Sequence, residues 1–266
     1  MGQTFTCILI LLSFFGAFGK YVYVKEARTW LAAQSYCRQK YTDLAPLSSK
    51  RDINLMQMAG NTDLFSWIGM KTTDDTEKWM WWGGGRISWM FWDSTGTTNM
   101  ANFYGFSQIP FFCYNPIVVK QRSTWEAAWQ YCRDNHNMLA SVASEVEMQL
   151  IQRKLNQAGV TQHVWIGLHF FPGDGWLWLD NQPLGYESWG LGGKPGCPRV
   201  NLECAALKVN GWRDNSSGST SNPSSSLELV NNLLDSEGPG NSEAAPLEEG
   251  VWEATDCQET LSFICY

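Results

Sequence analysis

The chain repeats itself, and that limits its fold more than any other feature. Lys25, Thr29, Trp30, Ala32, Ala33, Tyr36, Cys37 and Arg38 recur at a constant offset of 95 as Lys120, Thr124, Trp125, Ala127, Ala128, Tyr131, Cys132 and Arg133. Leu44-Ala45 with Leu139-Ala140 and Ser49 with Ser144 keep the same offset. Ser66-Trp67-Ile68-Gly69-Met70 and Val164-Trp165-Ile166-Gly167-Leu168 lie 98 apart, and Trp79/Trp176, Trp81/Trp178 and Trp92/Trp189 lie 97 apart. The offset then jumps to 152 for Phe112-Cys113-Tyr114 and Ile264-Cys265-Tyr266, so the second copy holds 55 residues that the first lacks. With 266 residues there is room for two ordinary domains, and the spacing describes a tandem duplication with unequal copies.

Each copy opens with an apolar strand, at 21–24 and 117–119. A helix follows, with Thr29 or Thr124 as its N-cap, and Trp30, Ala33 and Cys37 at i, i+3 and i+7 turn Trp and Cys inward. A second helix starts at Ser49 or Ser144. Ser144 with Glu147 fits a capping box, and Met148, Ile151 and Leu155 form an apolar stripe. The two Trp-Ile-Gly runs read as buried strands. Residues 78–82 and 176–179 alternate like strands, closed by Gly83-Gly84-Gly85 and Asp180-Asn181 turns. Trp67, Trp79, Trp81, Trp165, Trp176 and Trp178 are accordingly core residues. Helices first and short strands after make an α+β pattern. Only Tyr114-Asn115-Pro116 separates Cys113 from the next strand, so the copies sit close together.

Residues 1–19 are uncharged, apolar from Ile8 to Phe18, and end in Ala17-Phe18-Gly19, the pattern of a secretory signal peptide cleaved after Gly19. The apolar run is short for a membrane anchor. No later stretch reaches spanning length, so the expected product is secreted and extracellular, with no transmembrane segment. Cys7 falls in this leader, leaving Cys37, Cys113, Cys132, Cys197, Cys204, Cys257 and Cys265, an odd number for an oxidising compartment. The net charge of −7 comes from 214–250, which holds seven acids and no Lys or Arg; elsewhere 19 basic face 19 acidic residues. No basic stripe argues for nucleic acid. Residues 215–250 are Ser-, Asn-, Gly- and Pro-rich, too polar to order themselves, and Asn215-Ser216-Ser217 is an N-glycosylation acceptor.

The ordered set of motifs is more specific than any member. W-x-x-A-x-x-Y-C in the first helix, the Trp-Ile-Gly strand, the Trp-rich hairpin, and closing Phe111-Phe112-Cys113-Tyr114 or Phe263-Ile264-Cys265-Tyr266 occur in both copies. Both copies resemble the C-type lectin-like domain. The resemblance implies that fold in two tandem copies, 20–115 and 116–266, the first shortened in its long-loop region and the second carrying the acidic insert 215–250. It also implies disulfides Cys37–Cys113, Cys132–Cys265 and Cys204–Cys257. Cys197 is then left over, either as a free thiol or as a bond to a second chain.

Sugar-binding members of that family hold Ca2+ through an E-P-N or Q-P-D triplet, a downstream Glu, and the Asn-Asp of W-N-D. Ca2+ takes six to eight oxygens. Here Lys194-Pro195-Gly196 stands in the triplet's place. Trp252 is followed by Glu253-Ala254, and a second candidate, Trp212-Arg213-Asp214, lies across the acidic insert. The resemblance makes Ca2+ possible, but these degenerate motifs argue against it, and no other cofactor is expected. The implied function is carbohydrate recognition outside the usual Ca2+ geometry, on a glycan or glycoprotein. A protein–protein interaction module is the alternative, with a covalent dimer through Cys197. Trp189, Lys194, Pro195, Glu203, Trp252 and Glu253 are the candidate ligand-binding residues. His136, His163 and His169 form no metal box, and no nucleophile elbow or P-loop occurs, so no enzyme is expected.

Overall fold

The computed structural model describes residues 19–60, 65–72, 79–81, 105–199, 201–209 and 251–266. The leader before Gly19, the Gly83-Gly84-Gly85 turn, Trp92, Trp212-Arg213-Asp214, Asn215 and the acidic stretch to 250 lie outside the described residues.

In chain order the first copy comprises β1 (Tyr21–Arg28), α1 (Trp30–Lys40), β2 (Asp43–Leu44), α2 (Lys50–Ala59), β3 (Met70–Thr72), β4 (Trp79–Trp81) and β5 (Ile109–Tyr114). The second comprises β6 (Ile117–Ser123), α3 (Trp125–Asn135), α4 (Glu145–Gln157), β7 (Val164–Phe171), β8 (Gly175–Trp178), β9 (Cys204–Leu207), β10 (Trp252–Thr255) and β11 (Leu261–Cys265). The sheets run β1-β5-β2, β3-β4 and β10-β9-β7-β11-β6, with β8 on β7. The fold is α+β, with two helices ahead of short, largely antiparallel strands in each of the two copies, as the sequence pattern implies.

Local chemistry explains the helices. Thr29 and Thr124 cap α1 and α3, accepting from Ala32 N and Ala127 N. Trp30, Ala33 and Cys37, like Trp125, Ala128 and Cys132, are buried. Ser144 caps α4, but Glu147 does not close the expected box. Its carboxylate reaches one residue further, to Ala143 N at 3.0 Å, while its other oxygen meets Lys20 at 2.6 Å. β1 and β6 run four residues beyond their apolar cores, through charged positions such as Lys25, Glu26 and Arg28. Pairing resumes at Arg28 with Ile109 and at Ser123 with Leu261 after a register shift, and residues 25–27 and 120–122 between are exposed.

The glycine of each Trp-Ile-Gly run is required by close approach. A Cβ on Gly167 would lie 2.6 Å from Leu139 O, and one on Gly69 would lie 3.0 Å from Leu44 O. Gly167 N instead donates to Ala140 O, and Gly69 N to Ala45 O. The conserved-looking spacing of Leu-Ala and Trp-Ile-Gly is therefore one contact made twice. Trp125 Nε1 donates to Ile166 O at 3.0 Å and Trp30 Nε1 to Ile68 O at 2.9 Å, tying the first helix to the same run.

The copies share one core, in which Tyr21, Leu47, Met56 and Tyr114 pack with Met148, Ile151, Trp178 and Tyr266. At its centre Lys20 Nζ lies 2.9 Å from Asp52 and 2.6 Å from Glu147, equivalent residues of α2 and α4. Ser48 Oγ meets Ser144 Oγ at 2.7 Å, Gln182 Nε2 donates to Asp52, and Tyr114 OH donates to Tyr266 OH, which donates in turn to Ser141 O. Burial alone would lower the Lys20 pKa, but Asp52, Glu147 and Asp180 around it reverse this and raise it. Burial pushes the Glu147 carboxyl up against the pull of Lys20.

Candidate functional site

Disulfides Cys37–Cys113, Cys132–Cys265 and Cys204–Cys257 close the copies, the same pairs that the resemblance implies. Cys197 is free and exposed.

The six candidate ligand residues fall in four places. Trp189, Lys194 and Pro195 lie together on the loop between β8 and β9. Trp189 is half-buried, its ring 4.9 Å from Trp176 and 5.7 Å from Trp252. Trp176 Nε1 donates to Pro195 O at 2.9 Å, fastening the loop to the hairpin beneath it. Gly193, at φ 68°, turns the chain back so that its N–H meets Gly190 O, and exposes Leu191 at the tip.

Glu187, which the motif comparison did not single out, organises this surface. Lys194 Nζ binds its Oε1 at 2.7 Å and Trp189 Nε1 donates to its Oε2 at 3.1 Å. Seven residues separate Glu187 from Lys194 in an irregular loop, so no periodicity marks the pair in sequence. Among the described residues, the donor set around Lys194 does not fit Ca2+. Of the described carboxylates, the one beside Lys194 already holds an ammonium and an indole N–H, whereas Ca2+ needs six to eight oxygens.

Trp252 is not a contact residue. It is wholly buried on β10, edge-on to Trp178, Tyr186 and Trp189, and its family position is structural here. Glu253 points elsewhere, its Oε2 2.9 Å from His163 Nε2. Glu203 precedes β9. The β9–β10 register pairs Trp252 with Leu207 and Thr255 with Cys204, so Glu203 lies at the opposite end of this ladder from Trp252 and Trp189, on the order of 10 Å away by strand rise. There it lines an open cleft of about 560 Å³ with Trp125, Trp129, His169 and Asp256.

In this cleft the His169 ring lies 4.8 Å from Trp125 and 4.9 Å from Phe171, tilted by 48° and 51° to them. Burial lowers its pKa, with Glu203 pulling the other way. His169 and the sulfurs of Cys204 and Cys257 lie within 4.8 Å of one another, but the sulfurs are bonded together and offer no thiolate to a metal. Asp256 is held in its ionised form by Gln258 N and Asn201 Nδ2.

Among the described residues no helix is long and apolar enough to cross a membrane. The family model for the lectin C-type domain matches residues 26–103 and 121–227, together more than half of the chain. The secretory phospholipase A2 receptor of Mus musculus is 32% identical over 55% of this chain, which covers 9% of that receptor. The Homo sapiens receptor of the same name is 21% identical over 92% of this chain and 17% of its own length. The chain thus spans less than a fifth of these curated relatives. Among solved structures, human lithostathine is 21% identical, covering 56% of this chain and 80% of its own, with a TM-score of 0.37.

Proposed function

The chain belongs to the C-type lectin domain family, and from that premise we propose that it is an extracellular, non-enzymatic binding protein that recognises a glycan or glycoprotein without Ca2+ in the usual place. The observation that carries the reading is the Lys194–Glu187 ion pair at 2.7 Å. At the triplet position the ammonium of Lys194 stands where an oxygen donor would, and it engages the Glu187 carboxylate, so a sugar there has no shared metal to bind through. Trp189, Lys194 and the exposed Leu191 form the contact surface. An aromatic face and a cation suit a sugar ring or a protein surface alike.

A glycan array run with Ca2+ and with EDTA tests this. The expected binding pattern is the same in both. Strong mannose or galactose binding that EDTA abolishes would overturn it.

The second reading, a protein–protein module that dimerises covalently, is favoured by the exposed thiol of Cys197. A non-reducing gel checks it: a dimer that Cys197→Ser converts to monomer supports it, and a monomer in the parent chain removes it. Cleavage after Gly19 and glycosylation at Asn215 belong to the same extracellular proposal. Amino-terminal sequencing and glycosidase treatment of the expressed chain read them directly.

A further inference from the structure

The cleft at the Glu203 end of the β9–β10 ladder lies away from the Trp189–Lys194 surface, and nothing so far uses it. We propose that it is a docking site for a basic side chain, the guanidinium or ammonium group of a protein partner.

Charge is the first reason. Glu126, Glu203 and Asp256 line the cleft and no Lys or Arg does. The carboxylates of Glu126 and Glu203 take no hydrogen bond or ion pair among the described residues. Asp256 is engaged by two N–H groups and carries full negative charge, while the desolvated imidazole of His169 adds no compensating cation. Uncompensated charges of one sign in a concave site attract the opposite sign.

Aromatic surface is the second. Trp129, half-buried, lines the same cleft, and its ring already carries the Arg133 guanidinium 5.2 Å from its centroid. That guanidinium is itself paired with Asp134 at 3.3 Å, so it does not neutralise the cleft's acids. Arg133 does not line the cleft, and the Trp125 and Trp129 side chains that do line it offer apolar surface to the methylene stem of a basic side chain.

Rigidity is the third. Cys257 is bonded to Cys204, its N–H donates to Asn201 O, and its carbonyl accepts from Trp125 N. The walls from α3, β7, β9 and the 256–258 turn are thus fixed before a ligand arrives, which reduces the ordering cost of binding. A neutral sugar could use Asn201 and Gln258, but it would cover Glu126 and Glu203 without compensating their charge. A cation is the better occupant.

The proposal shares only the non-enzymatic binding role with the function proposed above and does not depend on Lys194. The glycan array and the following experiment can therefore fail separately. The probe is a short fluorescent peptide with two arginines flanked by glycines, against its citrulline counterpart, titrated into the full chain by anisotropy. Citrulline keeps the shape and loses the charge. The arginine peptide binds and the citrulline peptide does not. Glu203→Gln weakens binding about tenfold, the loss of one charge-assisted contact, and Trp129→Ala weakens it about threefold. Glu26→Gln, on β1 and not among the residues lining the cleft, leaves it within about twofold, since charges outside the cleft contribute only screened attraction. Glu203→Gln keeps the parent's melting midpoint, and circular dichroism checks that Trp129→Ala, whose ring packs on the cluster of Trp125 and Phe263, is folded when it is titrated. Equal binding of the citrulline peptide, no binding of the arginine peptide, or loss of binding in Glu26→Gln but not in Glu203→Gln would each overturn the proposal.

Discussion

Trp67 and Trp165 begin the same motif and end in different structures. Trp165 stands within β7, paired with Ala206 of β9 on one side and Phe263 of β11 on the other. Trp67 makes a single bridge, to Phe111, and regular strand begins only at Met70. The indole contacts are nonetheless the same, with Trp67 Nε1 on Arg28 O and Trp165 Nε1 on Ser123 O. The motif therefore fixes the packing of the run against the first helix and the closing strand, while its neighbours decide whether it becomes a strand. In the second copy β9 pairs with the run on one edge, and among the described residues of the first copy no strand takes that place beside Trp67.

The disulfides break this comparison most strongly. Replacing Cys132 and Cys265 by serine removes a closure of 133 residues, worth about 5 kcal/mol in the chain-entropy model, yet leaves Cys204–Cys257 in place. Replacing Cys37 and Cys113 removes a closure of 76, worth about 4.5 kcal/mol, and leaves the first copy with none. Similar energies should have unequal consequences. Amide exchange in the second variant collapses protection in α1 and β5, whereas the first variant retains protection in β7 and β9.

Lys20 sharpens the question of whether two copies make one body. Lys20→Met leaves Asp52 and Glu147 buried without their cation and costs about 3–5 kcal/mol. Adding Asp52→Asn and Glu147→Gln restores part of it. Because the folded pKa of Lys20 is raised, its contribution is complete below the unfolded value of about 10.4 and is lost as pH rises beyond it. Burial raises Tyr21, Tyr114 and Tyr266 in the same direction, so their shifts add to the alkaline loss. The melting midpoint should fall steeply above about pH 10, and the Lys20→Met variant should show a shallower fall.

The glycine pair gives the smallest contrast. Gly167→Ala drives a Cβ to 2.6 Å from Leu139 O and costs about 3 kcal/mol, whereas Gly69→Ala, at 3.0 Å from Leu44 O, costs about 1. Equal denaturation midpoints for the two variants would mean that the runs are packed alike.

The helices, caps and buried Trp side chains were legible because they rest on local spacing: Trp30, Ala33 and Cys37 point inward wherever that helix packs. The joint was only partly legible. Tyr114-Asn115-Pro116 implied closeness, but Lys20 carries no pattern that marks it as a buried ion, and its partners are 32 and 127 residues away. The ligand residues were least legible. Glu203 and Trp252 look like neighbours of one loop site until the β9–β10 register separates them, and Trp252 becomes core. Glu187 acquires its role only when the loop folds Lys194 back onto it.

That ion pair bears on the central claim, that this family member binds without Ca2+, and thermal unfolding of the full chain in Ca2+ and in EDTA tests it directly. Equal midpoints are the predicted result. A ligand at about a hundredfold over its dissociation constant would stabilise the fold by about 2.7 kcal/mol, so an upward shift of that size in Ca2+, reversed by EDTA, would contradict the account.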